Sequence, residues 1–246
     1  MNVQDIDPID REEMVGLATH EYALLVALLS TLDPDDWERP TPCEGWRVRD
    51  MTAHLLGAAA GNASMMESTR QLVRGGLRVR GTDRPLVDGI NEVQIEDRAT
   101  LSPAQLVAAI ETVADAAVRG RRRTPTPLRA IKVPGPLGAP LAMGELMDKV
   151  YTRDQWMHRI DITRATARPL LIEAAHDGRI VADIVRDWAF THDEPVRLEL
   201  TGPAGGAYEH RELEATEVIT LDAIAFCLAV SGREPADGLL AVQIVF

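Results

Sequence analysis

The stretch from Met143 to Ala167 is the feature that most constrains the fold of this chain. Residues three and four positions apart share one face of a helix, and here that face mixes apolar with ionisable side chains. Its members are Met147, Val150, Asp154, His158, Asp161 and Ala165. Burying a carboxylate among helices is costly unless it is paired or binds a metal. The pattern therefore predicts a helix whose ionisable face needs partners on a facing helix.

Other stretches of the first 168 residues show the same helical spacing of apolar residues. Proline and glycine interrupt the pattern at residues 33–46 and 124–140, which we expect to be loops. Ser102 is a suitable N-cap, and Pro103 suits the first position of a helix. We predict helices over residues 11–32, 47–73, 103–118 and 143–167. Four long helices joined by loops of unequal length predict a four-helix bundle.

The pattern changes after Pro169. Residues 196–200 alternate between apolar and polar side chains, as a strand does, and residues 202–206 form a glycine-rich turn. We predict helices at 172–190 and 221–230 and further strand-like material at 209–220, and residues 241–246 complete this small mixed region. The predicted fold is therefore mainly α, with a helical bundle over residues 1–168 and a small α+β domain over residues 169–246.

Composition excludes several classes of function. The formal net charge of -12 argues against a nucleic-acid-binding surface. Two cysteines, Cys43 and Cys227, are too few for a secreted disulfide framework, and no apolar run approaches the length that spans a membrane. We therefore expect a cytoplasmic protein with no membrane or nucleic-acid partner, as a monomer or a homodimer. We expect Cys43 to serve mainly in packing.

His54 is a candidate partner for the ionisable face, because it lies on the predicted buried face of the second helix, between Met51 and Ala58. An Asp and a His four residues apart, with a His from a facing helix, supply three ligands and leave a fourth position open, as in catalytic zinc sites. Ni²⁺, Mn²⁺ and Fe²⁺ also accept such ligands. Spacing alone equally permits a hydrogen-bonded core histidine or an ion-pair network between Asp154 and His158.

Two segments resemble a known family of enzymes. They are WERPTPCEGWRVRDMTAHLLG at residues 37–57 and DQWMHRID at residues 154–161. Both are similar to motifs of the DinB-like, mycothiol-dependent maleylpyruvate isomerase family. The segments LELTGP at 198–203 and VSGR at 230–233 are similar to the sterol-carrier-like C-terminal domain of that family. The chain departs from the family in the shorter Asp154, where the characterised isomerase has Glu, and in Arg47, where a Ser or Thr cap is common.

The resemblance implies a site and an activity. It implies that His54, Asp154 and His158 bind a divalent metal, Zn²⁺ foremost. From its position one turn beyond His158, Asp161 is expected to accept a hydrogen bond from a ligand histidine or to serve as an alternative ligand. The resemblance further implies mycothiol as a low-molecular-weight thiol partner and a small electrophile as substrate. The reaction is then thiol-assisted cis-trans isomerisation or S-transfer. Two alternatives stay open: a non-catalytic metal- or ligand-binding module, and a metal-dependent hydrolase with Asp161 as its catalytic base.

Overall fold

The computed structural model describes residues 1–135, 137–211 and 218–246, and the chain divides into two compact units. Asp10–Leu170 form the larger unit, whereas Met1–Ile9 group with Leu171–Phe246. Helices dominate the first unit, and the second combines two helices with a small sheet, which confirms the predicted fold class. The assignment of residues 1–168 to one domain stays a prediction. No helix in the described part of the chain is long and apolar enough to cross a membrane.

The larger unit contains the predicted helices and others. They are α1 (Arg11–Leu29), α2 (Val48–Ala63), α3 (Met65–Val79), α4 (Leu86–Glu96), α5 (Pro103–Arg123), α6 (Thr126–Arg129), α7 (Met143–Glu145) and α8 (Tyr151–Thr166). Helix α2 packs against α4, α5 and α8, and α1 packs against α5 and α8. Two two-residue strands pair in antiparallel fashion before α7: β1 (Lys132–Val133) lies in the predicted loop, and β2 (Leu141–Ala142) follows directly after it.

Helix prediction was wrong between residues 47 and 102. The single helix expected over 47–73 is two helices, because Ser64 leaves helical geometry at φ -141° and its hydroxyl accepts the Glu67 backbone N–H at 3.3 Å. Ser64 therefore ends α2 and caps α3, as serine commonly does. Helix α4 was not predicted at all. Helix α4 contributes residues to one side of the candidate site.

A glycine sets the distance between α2 and α4. A Cβ atom at Gly57 would lie 2.4 Å from the Cβ atom of Gln94, which is closer than any real contact. Only glycine therefore permits the two helices to approach in this way. The close approach brings the buried Gln94 side chain beside His54, one turn earlier on α2.

One turn of π-helix, Leu146–Val150, joins the short α7 to α8, so the three segments form one continuous helical stretch. The buried Arg121 of α5 binds this junction, since its Nε donates to the Met147 carbonyl and its guanidinium donates to Thr152 Oγ1, both at 2.7 Å. Such π turns disturb regular helical bonding and often lie near functional sites. The first turn of α8 then presents Asp154, with His158 one turn later.

The smaller unit packs α9 (Ala174–His192) and α10 (Ala223–Val230) with a three-stranded sheet. Strand β3 (Val196–Thr201) lies in the centre, antiparallel to β4 (Gly206–His210) and parallel to β5 (Val218–Asp222). Trp188 and Phe226 meet edge to face in its core, with ring centroids 5.2 Å apart. Asn2 extends β4 through a bridge to Glu209. The strand-like segment predicted at 209–220 falls partly outside the described residues, at 212–217.

Candidate functional site

The structure brings His54, Asp154 and His158 together. The carboxylate of Asp154 lies between the two imidazoles, with Oδ2 3.4 Å from Nε2 of His54 and Oδ1 3.3 Å from Nε2 of His158. One ligand atom from each residue lies within 4.8 Å of the other two. Both histidines are buried, whereas the Asp154 side chain is 27% exposed. The three donors therefore converge on one small volume that is open on the side of the carboxylate.

A chain of buried amides determines which nitrogen of His54 carries the proton. Gln71 Nε2 donates to the Gly57 carbonyl at 3.0 Å, so its Oε1 accepts from Gln94 Nε2 at 2.8 Å. The Oε1 atom of Gln94 consequently accepts the Nδ1 proton of His54, also at 2.8 Å. This arrangement leaves Nε2 of His54 directed toward Asp154.

Asp161 accepts a hydrogen bond from Nδ1 of His158, as Gln94 does from Nδ1 of His54. Its Oδ2 lies 3.1 Å from Nδ1 of His158, and the carboxylate is fully buried one turn further along α8. An ionised carboxylate only accepts hydrogen bonds, so it favours a proton on Nδ1 and directs Nε2 toward Asp154. Cys43 approaches from the loop before α2, and one ligand atom each of Cys43, His158 and Asp161 also lie within 4.8 Å of one another.

Electrostatics couple the acid to its two imidazoles. Burial lowers the pKa of His158, but the facing Asp154 carboxylate outweighs it and raises the pKa of His158 well above its ordinary value. Burial in turn raises the pKa of Asp154, yet His158 and then His54 hold that pKa far below its usual range. Without a metal, Asp154 is therefore ionised at neutral pH. A divalent cation that binds here takes the place of a proton on His158.

These residues lie at a cavity of about 410 Å³, a size typical of small-molecule sites. Trp46 forms part of its wall and packs against both imidazoles, with ring centroids 5.1 Å from His54 and 6.1 Å from His158. The described residues that line it are Cys43, Glu44, Trp46, His54, Arg84, Asp88, Asn91, Glu92, Asp154 and His158. Asp161 is absent from this lining.

Sequence reasoning missed part of this wall. Cys43, which was expected to serve in packing, faces the cavity. Four further lining residues lie on or just before α4, a helix that was not predicted: Arg84, Asp88, Asn91 and Glu92. The loop motif that contains Cys43 and Trp46 was a usable signal, because it leads directly into the helix of His54. No periodic pattern identified Gln94, since its role depends on the close approach of α4 at Gly57.

Comparison with known families gives the site a context. The family described as the mycothiol maleylpyruvate isomerase N-terminal domain matches residues 18–163, which is more than half of the chain. The chain belongs to this family. The match includes α2 and most of α8, and therefore all three donor residues. It confirms the resemblance inferred from the two motifs and the prediction of an enzyme of the mycothiol maleylpyruvate isomerase family.

Two curated proteins and two solved structures are similar to most of this chain. Uncharacterised proteins from two strains of Mycobacterium tuberculosis are 25% identical over 229 residues, covering 87% of this chain and 83% of theirs. The crystal structure of a mycothiol-dependent maleylpyruvate isomerase matches with a TM-score of 0.58 at 18% identity, covering 95% of this chain and 92% of that one. A histidine-to-alanine mutant of that isomerase matches with the same TM-score at 17% identity. At these identities the two structures establish a shared fold.

Proposed function

We propose that the chain is a metal- and mycothiol-dependent enzyme that acts on a small electrophile at the cavity of His54, Asp154 and His158. Two reactions suit such a site: cis-trans isomerisation of an activated double bond, and transfer of the thiol sulfur to the electrophile. Family membership supports the thiol dependence. The metal, the electrophile, the cytoplasmic location and the oligomeric state are predictions.

The convergence of three suitable donors carries the proposal. Two imidazole Nε2 atoms face one carboxylate, while each Nδ1 atom is already held by an acceptor, Gln94 for His54 and Asp161 for His158. Metal-binding histidines commonly have this second partner, which fixes the ring and its tautomer. The donor set therefore fits a divalent metal with mixed nitrogen and oxygen ligands, and Zn²⁺ is the ion we propose.

The residues around the donors have separate tasks. When bound, a divalent metal supplies a Lewis acid that lowers the pKa of a thiol close to it. His54, Asp154 and His158 hold that metal, and Gln94 and Asp161 orient the two imidazoles. Trp46 covers one side of the imidazole pair and limits the approach of water. The cavity beside them leaves space for the electrophile.

The position of Asp161 favours Asp154 as the acidic ligand. Asp161 is fully buried and bonded to Nδ1 of His158, whereas Asp154 lines the cavity between the two Nε2 atoms. The same position argues against the hydrolase alternative, because a general base needs access to the water that it activates. We therefore propose a positioning role for Asp161.

Metal analysis of the purified protein tests the proposal. We expect about one Zn²⁺ per chain, and we expect His54→Ala and His158→Ala each to weaken zinc affinity by at least about 100-fold, because each removes a direct ligand. With the metal bound, the protein should accelerate the reaction of mycothiol with an electrophile. The two variants should lose that acceleration.

His20→Ala is the matched control, since His20 lies on α1 outside the donor set and the cavity lining. It should keep parental zinc content and rate. Unchanged zinc affinity in both ligand variants would reject the metal site. Full activity of the parent without any thiol would reject mycothiol dependence and favour the hydrolase.

A further inference from the structure

The wall of the candidate cavity carries an unequal distribution of charge. Among the described residues that line it, one carries a guanidinium and four carry carboxylates, namely Glu44, Asp88, Glu92 and Asp154. A divalent cation at the donor residues does not compensate all of them. The lining therefore keeps a net negative charge, in a chain whose formal net charge is already -12.

The single guanidinium is already engaged. Arg84 donates a hydrogen bond to Glu92 Oε1, and its Nε lies 3.7 Å from Asp88 Oδ2. Both carboxylates lie on α4, four residues apart, and both line the cavity with Arg84. A carboxylate on a substrate would have to compete with these two for the same guanidinium. Arg84 is therefore a poor anion receptor while Asp88 and Glu92 remain ionised.

We propose that this wall selects the substrate by charge: the cavity prefers electrophiles with a positive charge, accepts uncharged ones and disfavours carboxylates. The inference rests on the proposed function, because it concerns the electrophile of that same reaction. Charges of one sign that line a cleft attract ligands of opposite charge and repel those of like charge. The wall on α4 thus determines specificity while the donor residues hold the metal.

A charge series of maleimides provides the test. The metal-loaded, full-length protein is assayed with mycothiol and three N-substituted maleimides that carry an ethyl, a trimethylammonioethyl or a carboxyethyl group. In each reaction the thiol sulfur bonds to one alkene carbon and a proton adds to the other. We expect kcat/KM, relative to the uncatalysed rate, to fall by about fivefold from cation to neutral and again from neutral to anion.

Variants of the wall should change this order in opposite directions. The double variant Asp88→Asn/Glu92→Gln frees Arg84 and should lower the cation-to-anion ratio by at least about tenfold, whereas Arg84→Gln should raise it by about fivefold. Glu111→Gln, on α5 outside the cavity lining, also removes a negative charge from the chain and should leave the ratio unaltered. The differences should shrink in 0.5 M salt, at roughly the concentration where screening shortens to a few ångströms.

Two results overturn the charge proposal: an anionic maleimide that reacts as well as the cationic one, or a ratio that the wall variants do not change. If the protein accelerates none of the three reactions, the proposed function fails. The charge order is then measured as binding of the three corresponding succinimides, which are saturated and do not react with thiols. Equal binding of the three, or no binding of any, overturns the charge selection.

Discussion

Helix α8 carries two acid–base pairs at adjacent positions, and they differ in what they leave available. Arg159 binds Glu21 of α1 through two hydrogen bonds of 2.7 and 3.2 Å, and both side chains are almost completely buried. His158 faces Asp154, which it shares with His54 and which keeps 27% of its side-chain surface exposed. The first pair is satisfied by protein groups and joins two helices. The second has a carboxylate still accessible to a ligand.

The difference shows how one helix serves both stability and function. A buried ion pair is stable only when its geometry supplies enough hydrogen bonds to offset desolvation, and the bidentate contact of Arg159 with Glu21 meets that condition. Asp154 instead lies between two imidazoles at distances of 3.3 and 3.4 Å, longer than good hydrogen bonds. A cation held between them would supply the attraction that these contacts lack.

Breaking the buried pair should have the largest effect on stability. Glu21→Gln removes the negative charge that accepts two hydrogen bonds from the buried Arg159 guanidinium, and we expect the free energy of unfolding to fall by about 3–5 kcal/mol. Chemical denaturation monitored by circular dichroism measures this. The folded fraction should bind zinc with parental affinity, because the variant leaves the donor residues intact.

The exposed pair between Glu12 and Arg122 is the control, since it also joins α1 to another helix, at 2.7 Å, with both side chains more than half exposed. Glu12→Gln should cost less than about 1 kcal/mol. Equal losses in the two variants would remove the distinction between the buried pair and a surface pair. A large loss of zinc affinity in Glu21→Gln would show that the two pairs on α8 are coupled.

Loss of the hydrogen bond between Gln94 and His54 should have the next largest effect. Gln94→Leu removes the acceptor for the Nδ1 proton of His54, so we expect zinc affinity to fall by about 10- to 100-fold. Competition with a chelator measures the affinity, and the imidazole nitrogen shifts in NMR spectra report the tautomer. Gln94→Glu retains an oxygen acceptor and should restore most of the affinity. Parental affinity in Gln94→Leu would mean that the ring of His54 is held by packing alone.

The sequence predicted those residues of the site that a local pattern places on a buried helical face, and it missed those that only packing between helices brings to the site. Asp154 and His158 are four residues apart on one helix, so helical periodicity alone placed them on a common face. His54 followed because it shares a buried face with Met51, which is fully buried in the structure. Gln94 and the charged residues of α4 reach the site only through packing between helices, which no local pattern specifies. Ser64, with no proline or glycine directly beside it, gave too weak a signal to end α2.

A third pair, just beyond the end of α8, should have the smallest effect. Arg168 binds Asp36 at 2.6 Å, and its own side chain is 30% exposed. Its hydrogen bond to Asp36 holds the pKa of that carboxyl below the ordinary value of 3.8. The ionised form of Asp36 makes the favourable contact with Arg168. The stabilisation is therefore complete above pH 3.8, and it disappears as the pH falls through the lower pKa that Asp36 has in the folded protein.

Asp36→Asn should therefore lower the free energy of unfolding by about 1 kcal/mol at pH 7, as expected for a partly exposed pair. Parent and variant should converge in acid, where Asp36 is protonated and resembles asparagine. Denaturation curves across pH measure the difference. Asp35→Asn, an exposed neighbour with the same change of charge, should show no such convergence. Arg168 keeps Asp33 as a second partner at 2.6 Å in the Asp36→Asn variant, so the loss of stability should stay small. A fall in the free energy of unfolding at pH 7 as large as that of Glu21→Gln would contradict the dependence on burial.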